Sequence, residues 1–237
     1  MGTSTARRGP SSTAWRIAKG AATRYLASEG SSPVEAREVV QRYVAALEES
    51  GSLQGQDLLA GFRLTRKAAQ ALGEFGDLVA ATGMAAALAT LGFDSLADMP
   101  PDAIISGLPQ AWLEDQGSLE AAVARSALAT CLAQILGSYP KAGSGVDAPS
   151  LVGSFLAAAF CQRLALDLGE SLEAAAAGWP AYQKGLARLQ NELLAAVNEI
   201  PPNPPGAGQW RGLAGWLWVT QVLEKILTCF KDARPSP

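Results

Sequence analysis

Apolar positions recur every three or four residues along most of this chain, which is the spacing of an amphipathic helix. Over residues 13–28, one predicted face collects Trp15, Ala18, Ala22, Tyr25 and Leu26, and the other carries Arg16, Gly20 and Thr23. No segment shows the period-2 alternation that is typical of a strand. The pattern therefore predicts an all-α protein, an irregular multi-helix bundle of about eight helices.

The second predicted helix has the clearest start signal. Ser32-Pro33-Val34-Glu35 has the residues of a capping box, with proline at the first helical position. An apolar stripe follows at Val40, Tyr43, Val44 and Leu47. Gly51 is the predicted end of this helix.

Glycine and proline divide the rest of the chain into further helices. These are predicted at 56–82 with a break or kink near Gly73 and Gly76, 84–91, 99–113, 118–136, 150–168, 181–200 and 209–232, with a short segment at 172–178. A loop rich in Gly, Ser and Pro covers residues 138–149. It suggests an N-terminal helical subdomain at 13–137 and a C-terminal one at 150–232, or a single continuous domain.

Charge is distributed unevenly over the 237 residues. Residues 1–28 contain five basic and no acidic residues, so a total of −3 leaves −8 for the remainder. Residues 1–12 are mostly Gly, Ser, Thr, Arg and Pro, which predicts a flexible, disordered basic arm. Such an arm is suited to an anionic partner or an acidic protein face, although a solvated tail has the same composition.

The chain has no histidine, which excludes the commonest general base and a common zinc ligand. Cys131, Cys161 and Cys229 form no CxxC pair and lie in apolar helical stretches, so we expect small buried side chains in a reducing cytosol. No GxGxxG or GxxxxGK[ST] loop is present. We therefore expect no catalytic residues, no metal site and no cofactor.

The sequence also predicts a cytoplasmic protein without a membrane span. No apolar h-region follows the charged start of the chain. The longest apolar runs, Ala148–Cys161 and Gly212–Leu223, are shorter than the roughly 20 residues that cross a bilayer. Ala6 replaces the Ser or Thr of the myristoylation pattern.

Several residue groups are candidates for chemistry or binding. The carboxylate pairs Glu48-Glu49 and Glu114-Asp115 lie near predicted helix ends, which is more typical of solvated faces than of acid/base catalysis. A basic cluster of Arg63, Arg66 and Lys67 could contact phosphate or a partner's carboxylates, or form a solvated helix face. The tryptophans Trp210, Trp216 and Trp218 favour core packing over a binding groove.

Gly2 offers chemistry that does not depend on a fold. A small second residue normally allows removal of Met1, which would leave an unhindered glycine amine. An α-amino group has a pKa of about 7.7–8.0, so a substantial fraction is neutral near pH 7.5. This amine could attack an activated acyl group in another protein's active site.

Three stretches carry a resemblance to a known family: Met1-Gly2-Thr3-Ser4 followed by Gly9-Pro10; Gly61-Phe62-Arg63 running into an Ala-rich helix; and the run from Gly117 to Leu128. Spread over about residues 1–136, they make the chain similar to the QatB family of bacterial Qat anti-phage defence systems. The long Pro-rich stretch that often follows the family's Met-Gly-Thr-Ser start is missing here.

This resemblance implies a non-enzymatic scaffold that works with an ATPase (QatA), a QueC-like enzyme (QatC) and a TatD-like nuclease (QatD). QueC-type enzymes activate a deazaguanine carboxylate with ATP, and a QueC-like partner could transfer it to Gly2. The residues expected to bind partners are Thr3, Ser4, Arg7, Arg8, Arg63, Arg66 and Lys67.

Two other classes of protein compete with this interpretation. A nucleic-acid-binding or adaptor module would use the basic residues Arg7, Arg8, Arg16, Lys19 and Arg24 against phosphates. An enzyme is the third class, and it is disfavoured by the missing histidine and the missing catalytic motifs.

Overall fold

The computed structural model describes residues 12–27, 33–53, 58–113, 117–138, 146–197 and 203–231. These parts of the chain contain eleven α-helices, one 3-10 helix and no strand, which confirms the all-α class. The count exceeds the expected eight partly because the short helices Asp94–Ala97 and Gly169–Ala175 were not predicted as separate helices. Apart from Ser12, the expected disordered arm lies outside the described residues.

The helices are numbered in chain order. Their bounds are α1 Thr13–Ala27, α2 Pro33–Leu53, the 3-10 helix Leu58–Phe62, α3 Arg63–Thr82, α4 Met84–Thr90, α5 Asp94–Ala97, α6 Pro101–Trp112, α7 Leu119–Ser138, α8 Ala148–Asp167, α9 Gly169–Ala175, α10 Trp179–Val197 and α11 Leu213–Lys231.

Two compact units share these helices. The first contains Met1–Leu58, Arg163–Glu192 and Leu227–Pro237, and the second contains Leu59–Gln162 and Leu193–Ile226. Helices α8, α10 and α11 therefore contribute residues to both units. This division differs from the consecutive subdomains 13–137 and 150–232 suggested by the glycine-rich loop.

In the first unit, α1 packs against α2 and α9 through the apolar face that the sequence predicts. Trp15 meets Tyr43 edge to face, with ring centroids 5.7 Å apart, and its indole donates a hydrogen bond to Ser50 Oγ at 2.7 Å. The Tyr25 hydroxyl donates to the Gly185 carbonyl oxygen at 2.9 Å. These long-range contacts anchor α1, which is too short to be a stable helix in isolation.

A half-buried polar network also stabilises the first unit. The Tyr43 hydroxyl donates to Asp167 Oδ2 at 2.7 Å, and Arg163 Nε donates to the same oxygen at 2.9 Å. Burial, with the Asp167 charge and hydrogen bond, raises the pKa of the Tyr43 phenol well above its usual value. The phenol therefore stays protonated and acts as a fixed hydrogen-bond donor.

In the second unit, α3 packs against α4, α6 and α7. Of the break or kink expected near Gly73 and Gly76, the break is wrong, because α3 is a single helix from Arg63 to Thr82. A Cβ atom at Gly73 would overlap the Trp210 ring, and one at Gly76 would lie 3.2 Å from the Ala148 side chain. Both glycines therefore allow close packing within an unbroken helix.

Helices α7 and α8 meet the length and composition criteria for a membrane-spanning helix. This was not predicted from the sequence, because the uninterrupted apolar runs are shorter than a bilayer requires. About half of each apolar window is buried inside the protein. The core helix of a soluble protein has the same properties, so these two helices are weak evidence for a membrane span.

Candidate functional site

The N-terminal residues expected to carry function lie outside the described residues. They are Gly2, Thr3, Ser4, Arg7 and Arg8, and their roles stay predictions. The carboxylate pair Glu114-Asp115 also lies outside. In the pair Glu48-Glu49, both residues are half-buried, and Glu48 forms an ion pair with Lys231.

The basic cluster begins α3. Arg63 and Lys67 are exposed, and Arg66 is half-buried. The Arg66 guanidinium carbon lies 4.0 Å from the ring centroid of Trp216, and its nitrogens donate to the Leu59 carbonyl oxygen at 3.1 Å and to Thr220 Oγ1 at 3.3 Å. Arg66 therefore links α3 to α11, whereas Arg63 and Lys67 present their charges to solvent.

Three cations in one turn are unfavourable at a helix N-terminus, where backbone N–H groups already create a positive potential. The N-cap residue, Phe62, has no side-chain oxygen to accept their hydrogen bonds. Instead, Glu120 Oε1 from the first turn of α7 accepts from Leu64 N at 2.5 Å and from Thr65 N at 3.0 Å. Glu120 is thus a tertiary cap for α3.

This cap joins two of the segments that carry the family resemblance, Gly61-Phe62-Arg63 and the run from Gly117 to Leu128. Sequence reasoning did not assign Glu120 this function. The available signal was indirect: an apolar N-cap followed by a basic first turn leaves backbone donors that need an acceptor from elsewhere.

The segment before α11 is also bound to α3. Trp210 is fully buried and its indole donates to Asp77 Oδ2 at 2.7 Å. Gln70 Nε2 donates to the carbonyl oxygens of Trp210 at 2.6 Å and Gly212 at 3.1 Å. Core packing is confirmed for Trp210 and Trp218, which is 4% exposed, whereas Trp216 is half-buried beneath Arg66.

Burial raises the pKa of the Cys131 and Cys161 thiols to about 12. Both are therefore protonated near neutral pH and are poor nucleophiles. The expectation of buried cysteines is confirmed for these two residues and wrong for Cys229, which is half-buried. Within the described ranges, no three His, Cys, Asp or Glu residues come close enough to hold a metal ion.

The described polar groups chiefly complete caps, ion pairs and core hydrogen bonds, so these parts define an all-helical protein with a basic surface cluster. A family model described as "Qat anti-phage system associated protein QatB" matches residues 58–199, more than half of the chain. The chain belongs to the QatB family and is a component of a Qat anti-phage defence system.

The matched residues include the basic cluster and the Glu120 cap, whereas residues 1–57 lie outside the match. The family resemblance is thereby confirmed through its second and third segments. No match was found among curated proteins or among solved structures.

Proposed function

We propose that this chain is a non-enzymatic scaffold whose Gly2 amine accepts an acyl group from a QueC-like partner, QatC. The ATPase QatA and the TatD-like nuclease QatD would act in the same cytoplasmic system. The observation that carries the proposal is QatB family membership combined with a Gly2 that follows Met1 in a stretch of five basic and no acidic residues.

The proposed step is the formation of an amide bond. On QatC, an oxygen of a deazaguanine carboxylate attacks the α-phosphorus of ATP, the bond from that phosphorus to the β-phosphate oxygen breaks, and pyrophosphate leaves, which gives a mixed anhydride with AMP. The neutral Gly2 amine attacks the acyl carbon, the bond from that carbon to the phosphate oxygen breaks, and the phosphate-bearing group leaves. The amine nitrogen gives its proton to a base on the enzyme or to water. Gly2 suits this step because its Cα carries no side chain.

The side chains around Gly2 would position it. Arg7 and Arg8 would attract an anionic surface, and Thr3 and Ser4 would donate hydrogen bonds in the partner's active site. On α3, the exposed Arg63 and Lys67 offer a second contact for acidic groups. Arg66 would support this contact from its position over Trp216.

The structure of the helical body supports the role of an acceptor and scaffold. The Cys131 and Cys161 thiols have pKa values raised to about 12, and Tyr43 is held by Asp167. These groups are engaged in the core and not activated as nucleophiles. The proposal places the reactive amine at Gly2 instead.

Intact-mass measurement of the chain co-expressed with QatC tests the proposal. We expect a mass increase located on the peptide that begins at Gly2. Gly2→Phe should retain Met1, block the modification and abolish phage defence. Gly2→Ala, which still allows Met1 removal and leaves a primary amine, is the matched control and should keep at least part of the modification. An unmodified N-terminus together with full defence by Gly2→Phe would refute the acceptor role.

A nucleic-acid-binding or adaptor module is the alternative, and it is favoured by the basic residues Arg16, Lys19 and Arg24 of α1. Contacts with several phosphates would make the affinity for duplex DNA fall steeply between 50 and 200 mM salt, by about 10²-fold or more. Such a dependence without N-terminal modification would favour this alternative over the acceptor role.

A further inference from the structure

Helix α1 exposes a stripe of five residues on the side opposite its buried face. These residues, the α1 stripe, are Thr13, Arg16, Ile17, Gly20 and Arg24, spaced three or four positions apart. They line a surface depression of about 420 Å³. The stripe is therefore a continuous helix face.

All charged residues that α1 itself contributes are basic. Helix α1 carries Arg16, Lys19 and Arg24 and no acidic residue. Arg16 donates to the uncharged Thr13 hydroxyl at 3.1 Å, and among the described residues no carboxylate forms an ion pair with it. Arg24 lies 3.6 Å from Glu38, and because both side chains are largely exposed and Glu38 also pairs with Arg42, this ion pair is weak.

The middle of the α1 stripe consists of Ile17, an apolar side chain, and Gly20, which has no side chain. Ile17 is 46% exposed, whereas the other large apolar residues of α1 are buried. Gly20 follows it on the same face, and the nearest atom to a Cβ placed there is Arg24 Nη1 at 3.6 Å. A small residue between two arginines lets the backbone of a second helix approach closely.

We infer that the α1 stripe docks an acidic helix on the surface of the enzyme that acts on Gly2. An apolar residue of that helix packs on Ile17 above Gly20, and its carboxylates pair with Arg16 and Arg24. This inference rests on the proposed function. Gly2 precedes Thr13 by eleven residues, so the amine reaches at most about 40 Å from the stripe. Docking at α1 therefore keeps the amine within reach of an active site on the same partner.

Charge complementarity distinguishes this occupant from the others. A second copy that met the stripe with its own α1 would bring like charges together. A nucleic acid would neutralise the arginines but leave Ile17 without an apolar partner.

The binding test uses the full chain and QatC of the same Qat system as the probe, with the dissociation constant measured by calorimetry at low and moderate salt. The double variant Arg16→Glu/Ile17→Asp should weaken binding at least tenfold, because it reverses a charge and removes the apolar contact. The matched control is Lys184→Glu/Leu166→Ala, which changes an exposed cation and an apolar side chain that is 57% exposed elsewhere. The control should bind as the unaltered chain does.

A photo-crosslinking measurement covers the case in which the double variant folds poorly. With p-benzoylphenylalanine at position 17, QatC should be crosslinked on an acidic helix, and with the same group at position 166 it should not. Equal affinity of the double variant and the unaltered chain, or no crosslink from position 17, overturns the inference. Crosslinks only to a second copy of the chain, or only to added duplex DNA, overturn it as well.

These results are separable from a failure of the proposed function. If the unaltered chain and the double variant bind QatC with equal affinity, and QatC acylates Gly2 in both, the acceptor role stands and the docking surface is wrong. If QatC binds through position 17 and Gly2 is never acylated, the docking surface stands and the acceptor role is wrong.

Discussion

Glu120, Asp77 and Asp167 each accept hydrogen bonds from residues far away in the chain. Glu120 caps α3, Asp77 accepts from Trp210, and Asp167 accepts from Tyr43. In each case a half-buried carboxylate satisfies a donor that would otherwise be costly to bury. Stability at the residue scale therefore depends on a few carboxylates.

Glu120→Ala should lower the free energy of unfolding by about 1–2 kcal/mol, because two backbone donors of α3 lose their acceptor and three nearby cations lose a counter-charge. Glu120→Gln should cost less, since its amide oxygen still accepts. The change is measured as a shift of the urea midpoint. Glu173→Ala, at an exposed carboxylate on α9, is the control. Equal midpoints for the two alanine variants would contradict the capping role.

Tyr43→Phe should cost about 1–2 kcal/mol at neutral pH, because the half-buried Asp167 carboxylate loses one of its two donors. The pKa of the Tyr43 phenol is raised in the folded protein, so the folded state keeps this proton above pH 10 where the unfolded chain loses it. Stability contributed by this residue is full below pH 10 and falls as the pH rises further.

Unfolding curves between pH 7 and 11 check this expectation. The decline in stability above pH 10 should be less steep in Tyr43→Phe than in the unaltered protein. Tyr25→Phe removes a hydrogen bond to the neutral carbonyl of Gly185, so its cost at neutral pH should be smaller. If the unfolding free energy declines equally above pH 10 in Tyr43→Phe and in the unaltered protein, the pKa of Tyr43 is not raised in the folded state.

At the scale of elements, α3 organises the second unit. Glu120 of α7 caps its N-terminus. In its middle, Gly73 leaves room for the Trp210 ring. Gln70 of α3 binds the backbone of the segment that precedes α11. Glycine in a helix interior normally costs about 1 kcal/mol relative to alanine. Close packing of an indole offsets this cost in α3.

Gly73→Ala and Gly137→Ala should therefore change stability in opposite directions. A methyl group at Gly73 meets the Trp210 ring and should cost about 1–3 kcal/mol despite the gain in helix propensity. No atom outside the local helix lies within 4 Å of a Cβ at Gly137 on α7, so alanine there should stabilise by at most about 1 kcal/mol. Denaturant unfolding of both variants measures the difference in stability. Two shifts of the same sign would show that contact with the Trp210 ring does not outweigh the gain in helix propensity.

Sequence periodicity predicted the elements better than their interactions. The buried face of α1 and the proline start of α2 agree with the structure. The interpretation of Gly73 and Gly76 as a helix break was wrong, because a glycine that ends a helix and a glycine that admits a neighbouring side chain look alike in a single sequence. Only the position of Trp210 at Gly73 and of Ala148 at Gly76 distinguishes them.

At the scale of the whole molecule, the two compact units are assembled from separate stretches of chain. Composition signals such as the glycine-rich loop at 138–149 mark places where the chain can turn. They carry no information about which helices pack together afterwards, because packing depends on complementary faces that are distant in sequence.

The chain should remain in the supernatant after cell lysis, alkaline carbonate washing and ultracentrifugation. The apolar residues of α7 and α8 are largely those that the protein itself buries, and the exposed positions of α7 are Ala122, Ser126, Thr130, Ala133, Gln134 and Gly137. Such small and polar residues gain little from hydrocarbon. Quantitative immunoblotting of both fractions is the measurement, and recovery in the washed membrane pellet would contradict the expectation.

The sequence by itself determined the helical class, the amphipathic faces and the family, because helix periodicity and family segments are properties of neighbouring residues. Only the tertiary structure decided that Glu120 caps α3, that Arg66 stacks on Trp216 and that Gly73 makes room for an indole. These contacts join residues from 55 to 150 positions apart. Their partners become neighbours only when the apolar faces have packed, so no local pattern could specify them.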